Sequence, residues 1–276
     1  MEDIIKAIVL GTIQGLTEFI PISSTAHLRI IPALLGWKDI GAAYTAVIQI
    51  GTLIATFIYF RKDIFSLSEG FIQAFKKKDF LSNYESRIFI LIIIGTIPIS
   101  VFGLLFKRFI EGEARGLYVI SAALILLAIV LYIAEKTSSK KKDLSEITFK
   151  DGIVIGFAQA LALIPGSSRS GVTITAGLFR GLKRDVAARY SFLLSIPAIA
   201  LSGLYELYKE RHVLLDENLL SLSIATIVSG VVGYLSIAFL INYLKTRSNL
   251  IFIVYRIALG ILILILLSKG ILQNLE

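Results

Sequence analysis

Long apolar stretches alternate with short polar segments along nearly the whole chain. Six of them approach the length that an α-helix needs to cross a bilayer, and they lie at 43–60, 88–106, 117–134, 186–206, 221–244 and 250–267. Typical runs are IFILIIIGTIPISVFGLLF (88–106) and LYVISAALILLAIVLYIA (117–134). Because one such run follows another, the pattern predicts an all-α polytopic membrane protein with six transmembrane helices.

Two further intervals, 4–36 and 153–182, are apolar but are interrupted near the middle by proline and a cluster of polar residues. Neither half of either interval is long enough to span a bilayer comfortably. Backbone that is not helical is tolerated at membrane depth only where protein buries it or where it lines a wet cavity. We therefore expect each interval to form a re-entrant helix–loop–helix hairpin that enters and leaves the membrane on one side.

The two hairpins match each other, since IPISST (20–25) aligns with IPGSSR (164–169) at an offset of 144 residues. Three predicted spans follow each hairpin, so each unit crosses the membrane an odd number of times and the second unit is inverted. The predicted units are repeat 1 (1–136, hairpin 1–36), a cytoplasmic linker (137–150) and repeat 2 (151–276, hairpin 151–182). In inverted-topology repeats with broken helices, the binding site lies at the repeat interface.

Composition agrees with a membrane protein, because 56% of the residues are hydrophobic and only 17% are charged, against about a quarter charged in soluble domains. The net charge of +8 does not indicate nucleic-acid binding, because no basic stripe is interleaved with stacking aromatic residues. Lys and Arg concentrate in the loops 61–87 and 135–150. The positive-inside rule makes these loops cytoplasmic and puts both termini outside. The sequence has no cysteine, which excludes disulfides, thiol catalysis and cysteine metal sites.

The first hairpin contains QGLTEFIPISSTAH (14–27), which concentrates polar groups in an apolar surrounding. Gln14 and Glu18 share a helical face, Pro21 ends that helix, and His27 follows closely. Three hydroxyl residues lie between the proline and the histidine: Ser23, Ser24 and Thr25. An ionisable group inside a membrane segment is costly and therefore marks a functional site. The alternatives are a structural hydrogen bond for Glu18 and a satisfied core or interfacial histidine for His27.

The second hairpin contains ALIPGSSRSGVTITAG (162–177), which combines a helix break with an arginine. Gly166 and Gly171 allow close backbone approach, and a helix that restarts here would favour an anion at its N-terminus. The guanidinium of Arg169 is a planar fork that suits phosphate oxygens. The hydroxyl residues around it are Ser167, Ser168, Ser170 and Thr173. The alternative role for Arg169 is a neutralising ion pair with Glu18.

Together the hairpins supply an anion clamp, a hydroxyl, a candidate base and a carboxylate that can hold a hard divalent cation. Mg²⁺ keeps several waters and is often held by one or two carboxylates plus substrate phosphates. Only Glu18 is clearly available, so we expect no all-protein metal cage, and Gln14 would act as a neutral helper. This set of groups predicts phosphoryl chemistry on a diphosphate that bridges the cation.

QGLTEFIPISSTAH and PGSSRSGVT resemble the two signature motifs of the bacterial undecaprenyl-diphosphate phosphatase family, the BacA type. VIQIGTLIA (47–55) and YSFLLSIPA (190–198) also match in kind and order. The resemblance implies hydrolysis of a long-chain polyprenyl diphosphate to its monophosphate and inorganic phosphate, which recycles the lipid carrier for peptidoglycan synthesis. It further implies bacitracin resistance on overexpression and a divalent cation, Mg²⁺ or another such as Ca²⁺. The expected location is the bacterial cytoplasmic membrane, with the active site open to the outer face.

Carried over position by position, the resemblance assigns catalysis to Glu18, Ser24, His27 and Arg169, and metal binding to Glu18 and Gln14. It assigns substrate binding to Ser23, Thr25, Gly166, Ser167, Ser168, Ser170 and Thr173. The first acidic position often holds Glu in the family, and Gln14 brings no negative charge to a metal. Ala26 stands where Gly is common. Ser24 is the expected nucleophile with His27 as its base, and direct attack by water, with Glu18 or His27 as base, is the alternative.

Other functions compete with this interpretation. Inverted repeats with broken helices are also transporter architecture, so lipid flipping stays open, either alone or as a secondary activity. A purely structural protein would not need two paired polar hairpins. Lipid phosphatases with separate Lys, Arg and His motifs fit poorly, because the chain has only His27 and His212 and His212 lies outside any such motif. The expected partners are the lipid substrate and the bilayer, without nucleic acid, and a homodimer is left open.

Overall fold

The computed structural model of the protein describes residues 2–37, 40–80, 83–211 and 219–274. Within these residues it contains twelve α-helices and three short 3₁₀ turns, and its β-type pairing is one isolated bridge between Lys142 and Leu182. His212, expected in a loop, lies outside the described residues. The predicted all-α class is confirmed.

The helices of the six spans and of the two hairpins occur in the predicted order along the chain. The helices Arg61–Lys77 and Lys107–Glu111 were not predicted, and the first of them lies in the segment 61–87 that was expected to be a loop. The first half contains α1 (Glu2–Phe19), α2 (Ser24–Leu34), α3 (Gly41–Tyr59), α4 (Arg61–Lys77), α5 (Tyr84–Leu105), α6 (Lys107–Glu111) and α7 (Leu117–Thr137). The second half contains α8 (Phe149–Ala160), α9 (Arg169–Phe179), α10 (Arg184–Lys209), α11 (Leu219–Thr246) and α12 (Leu250–Ser268). The 3₁₀ turns lie at Glu113–Arg115, Leu144–Glu146 and Leu161–Leu163.

The described residues include six helices that are long and apolar enough to cross a membrane, namely α3, α5, α7, α10, α11 and α12. They coincide with the six predicted spans, so that part of the prediction is confirmed. The pairs α1–α2 and α8–α9 form the two helix–loop–helix units. The helices α2 and α9 have 11 residues each, which is too short to span a bilayer. This length agrees with re-entrant hairpins, whose depth in the membrane stays a prediction.

Both hairpins turn by the same local device. Ser23 has φ 75° and Ser168 has φ 65°, a left-handed backbone region that residues other than glycine rarely adopt. The Ser23 hydroxyl accepts the backbone N–H of Ala26, and the Ser168 hydroxyl accepts that of Gly171. Each serine therefore caps the helix that follows it. Strained residues at equivalent points indicate that the surrounding structure holds both tips in place.

The caps also define which residues of the two hairpins are equivalent. Ser23 corresponds to Ser168, and Ser24 corresponds to Arg169 as the first helical residue, so the structural offset is 145 residues. The sequence alignment at 144 residues is therefore one residue out of register at the tips. The alignment paired the wrong serines because both tips contain two adjacent serines, and only the backbone conformation shows which serine is the cap.

The first helix of each hairpin packs against a long span of the other half of the chain. Helix α1 packs along α11, the second long span of the other half, and α8 packs along α5 in the same way. The corresponding helices α3 and α10 pack against each other, as do α7 and α12. This reciprocal packing is the pattern of an inverted repeat, and it brings both hairpin tips to the interface between the halves.

Helices α3 and α11 approach closely through small residues. The Ser229 hydroxyl donates to the carbonyl oxygen of Ile48 at 2.6 Å. A Cβ added to Gly51 would lie 2.0 Å from the Thr226 carbonyl oxygen and 2.3 Å from Ser229 Oγ. Small residues that let two backbones approach are the usual means by which membrane helices associate. The seam between α3 and α11 therefore depends on the absence of a side chain at Gly51.

We expect Gly51→Ala to destabilise the protein by about 1–3 kcal/mol, because its methyl group has no space against a rigid backbone. The measurement is the melting temperature of the purified protein in detergent. Gly103→Ala is the matched control, since a Cβ on that helical glycine would meet only Leu163 Cδ2, at an ordinary 3.5 Å. Equal losses of melting temperature in the two variants would contradict the close seam.

Candidate active site

The two hairpin tips face a cavity of about 500 Å³ at the interface between the halves. Its polar end is formed by residues from both tips and from α3, which include Glu18, Ser23, Ser24, Thr25, Gln49, Gly166, Ser168 and Arg169. Its walls are apolar and come largely from α5, α10 and the turn before the second tip, for example Ile99, Leu163 and Ala198. A cavity with one polar end and apolar walls suits an amphiphilic ligand.

Glu18 is the centre of the polar cluster. Its Oε1 accepts a hydrogen bond from Arg169 Nη2 at 2.6 Å. Its Oε2 accepts from Gln14 Nε2 at 2.8 Å, from the Ser24 hydroxyl at 3.0 Å and from Gln49 Nε2 at 3.3 Å. The side chain of Glu18 is buried. A buried carboxylate is stable only when it is paired and hydrogen-bonded, and this one has both kinds of partner.

Arg169 begins α9, so the cap at Ser168 sets the direction of its side chain. Its Nη2 is used by Glu18, whereas its buried Nη1 has no hydrogen-bond partner among the described residues. Both predicted roles of Arg169 can therefore hold together. One side of the guanidinium neutralises Glu18, and the other keeps an unused donor on a residue that lines the cavity.

His27 is not joined to Ser24 by a hydrogen bond in the described part of the chain. Its Nδ1 lies 2.7 Å from the Ser23 carbonyl oxygen, and its Nε2 lies 2.6 Å from the Tyr255 hydroxyl. Since a carbonyl can only accept, Nδ1 carries the proton, and in the neutral ring Nε2 accepts from Tyr255. The imidazole also stacks on the Tyr255 ring, with centroids 5.6 Å apart. These contacts make His27 a link between the first tip and α12.

The predicted substrate-binding residues of the second tip differ in their surroundings. Gly166 and Ser168 line the cavity, and Ser168 Oγ lies 3.2 Å from Ser170 Oγ. Thr173 instead donates to the Arg169 carbonyl oxygen within α9 at 2.7 Å and lies 2.6 Å from Ser191 Oγ, a contact that joins α9 to α10. The buried hydroxyl of Ser167 has no partner within the described ranges.

A divalent cation would have few protein ligands at this site. The residues that the structure describes contain no group of three or more His, Cys, Asp or Glu able to hold a metal ion. Glu18 offers a carboxylate, and the buried Oε1 of Gln14 beside it has no hydrogen-bond partner among the described residues. Carboxylate and amide oxygens are the donors that hard cations prefer. The chemistry of these donors suits a hard cation. Both oxygens of Glu18 already accept hydrogen bonds, however, and Gln14 is not among the described residues that line the cavity, so a cation here would displace a donor from Glu18 and take water and substrate phosphate as its other ligands.

Three residues near the tips were not identified from the sequence: Gln49, Tyr255 and Arg256. Arg256 is fully buried, and its Nη2 donates to the carbonyl oxygens of Gly166 and Ser167 at 3.3 and 3.0 Å. Its guanidinium therefore fixes the backbone of the second tip. An arginine inside the predicted span 250–267 is itself a functional signal, and that signal could have identified it.

The comparisons with known proteins identify the family. The chain belongs to the family described as bacitracin resistance protein BacA, whose model matches residues 7–262. The undecaprenyl-diphosphatase of Chlorobaculum tepidum is 53% identical, over 97% of this chain and 98% of the relative. That of Myxococcus xanthus is 53% identical, over 97% of this chain and 90% of the relative. That of Chloroherpeton thalassium is 54% identical, over 97% of this chain and 98% of the relative. The resemblance inferred from the two motifs is confirmed.

We expect the buried Glu18–Arg169 pair to show strong coupling in a double-mutant cycle. Glu18→Gln or Arg169→Gln alone leaves one charge without its counter-ion, which should cost about 3 kcal/mol. The double variant should cost less than the sum of the two, by about 1–3 kcal/mol. The measurement is unfolding in mixed detergent micelles.

The control cycle uses the exposed pair Asp143–Lys183, whose Nζ and Oδ2 are 2.8 Å apart. Exposed pairs contribute about 0–1 kcal/mol, so its coupling should be small. Additive losses at Glu18 and Arg169 would contradict a buried ion pair at the hairpin tips.

Proposed function

We propose that this protein is a membrane phosphatase that hydrolyses undecaprenyl diphosphate to undecaprenyl phosphate and inorganic phosphate. The observation that carries the proposal is the Glu18–Arg169 pair at the end of an apolar-walled cavity, with one guanidinium nitrogen left for an anion. The three relatives compared above are each named undecaprenyl-diphosphatase, and this chain matches nearly the whole length of each.

The diphosphate would lie at the polar end of the cavity, against Arg169. Helix α9 begins there, and the dipole of that helix favours negative charge at its N-terminus. The first isoprene units would lie along the apolar walls. This orientation puts charge and hydrocarbon each in the surroundings that stabilise it.

Ser24 is the proposed nucleophile, and Glu18 is the proposed base that takes its proton. The Ser24 hydroxyl donates to Glu18 Oε2 at 3.0 Å, whereas both nitrogens of His27 have other partners. In the first step Ser24 Oγ bonds to the distal phosphorus, the bond to the bridging oxygen breaks, and undecaprenyl phosphate leaves. Water then hydrolyses the phosphoserine and releases inorganic phosphate. Arg169 stabilises the charge on the transferred phosphoryl group in both steps.

A divalent cation is part of this proposal. The residues that would hold it are Glu18 and Gln14, with substrate phosphate oxygens and water as further ligands. When bound, Mg²⁺ or Ca²⁺ supplies positive charge that stabilises the leaving phosphate. The unpaired Oε1 of Gln14 supports this assignment.

The cavity is proposed to face the outer side of the bacterial cytoplasmic membrane. Helices α5 and α10 begin beside the basic segments that the positive-inside rule places in the cytoplasm. The cavity is lined by the opposite ends of these helices, including Gly103, Leu104 and Tyr205. The site therefore lies towards the end of the bundle that is remote from the basic loops.

We expect Arg169→Ala to lower kcat for undecaprenyl diphosphate by about 10²–10³-fold, the usual effect of removing a donor that stabilises transition-state charge. The measurement is phosphate release by purified protein in detergent, with and without chelator. Arg61→Ala is the control, because Arg61 is exposed on α4 and its Nη1 donates to the Ile58 carbonyl oxygen. Absence of phosphate release by the unmodified protein would overturn the phosphatase proposal and favour lipid transport.

We expect Ser24→Ala to lose at least about 10²-fold of kcat, because it removes the attacking oxygen. Acid quenching of the unmodified enzyme with substrate labelled in the distal phosphate should trap phosphoserine. Ser100→Ala is the matched control, since this hydroxyl lines the same cavity but donates to the Thr96 carbonyl oxygen. Retention of most activity by Ser24→Ala would show that water attacks directly.

A further inference from the structure

The cavity contains a second ion pair that the proposed chemistry does not use. Lys107 Nζ lies 2.5 Å from Glu206 Oε1, and both residues line the same cavity as Glu18 and Arg169. Their side chains are 22% and 11% exposed, so the pair is largely shielded from solvent. Lys107 follows the end of α5, and Glu206 lies in the last turn of α10. The second pair is therefore at the outer end of the cavity.

Each of the two ion pairs joins the first half of the chain to the second, and the half that supplies the cation differs between them. The first half supplies the anion Glu18 at the hairpin tips and the cation Lys107 at the outer end, and Arg169 and Glu206 of the second half complete the pairs. Among the described residues that line the cavity, two cations and two carboxylates thus balance each other. A diphosphate brings several negative charges into this neutral cavity. A cation that turns from its carboxylate to the ligand would stabilise the bound diphosphate.

Lys107 is suited to that change of partner. Its Nζ lies 4.3 Å from the centroid of the Tyr205 ring, a cation–π contact that does not depend on Glu206. A lysine ammonium is a compact charge on a flexible stem and is a common phosphate ligand. The ammonium can therefore exchange Glu206 for a phosphate oxygen while the ring face still contacts it.

We propose that Lys107 is a second phosphate-binding cation of the cavity and that Glu206 competes with phosphate for it. The inference rests on the proposed phosphatase function and extends it with a subsite for the phosphate groups. Two ligands share the required chemistry, the diphosphate headgroup of the lipid and the released inorganic phosphate. The same subsite would receive each of them at the outer end of the cavity.

A purely structural ion pair would behave differently. If Lys107 and Glu206 served only to join α6 to α10, loss of either partner would impair the enzyme in the same way. If Glu206 competes with phosphate, loss of the two partners acts in opposite directions. The direction of the change in KM therefore distinguishes the two roles.

The test compares Lys107→Met, Lys107→Arg and Glu206→Gln with the unmodified enzyme in detergent. We expect Lys107→Met to raise KM for undecaprenyl diphosphate about tenfold, as loss of one charge-assisted hydrogen bond would, with kcat within about twofold. Glu206→Gln should lower KM, and Lys107→Arg should keep it near the original value. Inhibition by inorganic phosphate reports the second ligand and should weaken in Lys107→Met and strengthen in Glu206→Gln.

A rise of KM in both Lys107→Met and Glu206→Gln would overturn the inference. If Lys107→Met does not fold, Glu206→Gln alone decides, because an unchanged or higher KM contradicts competition. If the unmodified protein releases no phosphate, the phosphatase proposal fails by itself. The subsite is then tested by direct titration of inorganic phosphate into the same variants, with weaker binding by Lys107→Met and stronger binding by Glu206→Gln as the supporting result.

Discussion

The hydrogen-bonded ion pair between Glu18 and Arg169 is the interaction on which the site depends. Each charge lies beside the helix break at a hairpin tip, and the side chains of Glu18 and Arg169 are only 3% and 11% exposed. Neither tip could carry its charge alone without a large desolvation penalty. The pair therefore couples the local conformation of one half of the chain to that of the other, and the reciprocal packing of α1 on α11 and α8 on α5 brings the partners together.

Around this pair, side chains from several spans fix the tips. Arg256 on α12 donates to the backbone of the second tip, and Tyr255 beside it bonds to His27 of the first. Two consecutive residues of α12 thus contact both hairpins. Gln49 of α3 donates to Glu18 from another direction. Helices thus hold the polar groups of the cavity in fixed positions, which is the arrangement that preorganised charge stabilisation requires.

Much of this could be predicted from the sequence, because the length of an apolar run and a proline beside polar residues are local properties. The six spans are of that kind. The meeting of Glu18 with Arg169 is a long-range contact, and it was predicted from the match between the two hairpins. The partners of His27 could not be predicted, since they depend on which face of α12 meets the first tip. The same holds for Gln49, a polar residue within a span whose rotation about its axis is set by packing. The register of the two tips required the backbone conformation of Ser23 and Ser168.

The register of the tips has a consequence for the direction of binding. At the structural offset, the counterpart of Glu18 is Leu163, which lies in the apolar wall of the cavity. Two identical tips would offer an amphiphile two equivalent orientations, related by the pseudo-symmetry of the fold. Because one tip has an acid where the other has a leucine, the two orientations are not equivalent in this protein. A lipid with a charged head then has one preferred way to lie between the halves.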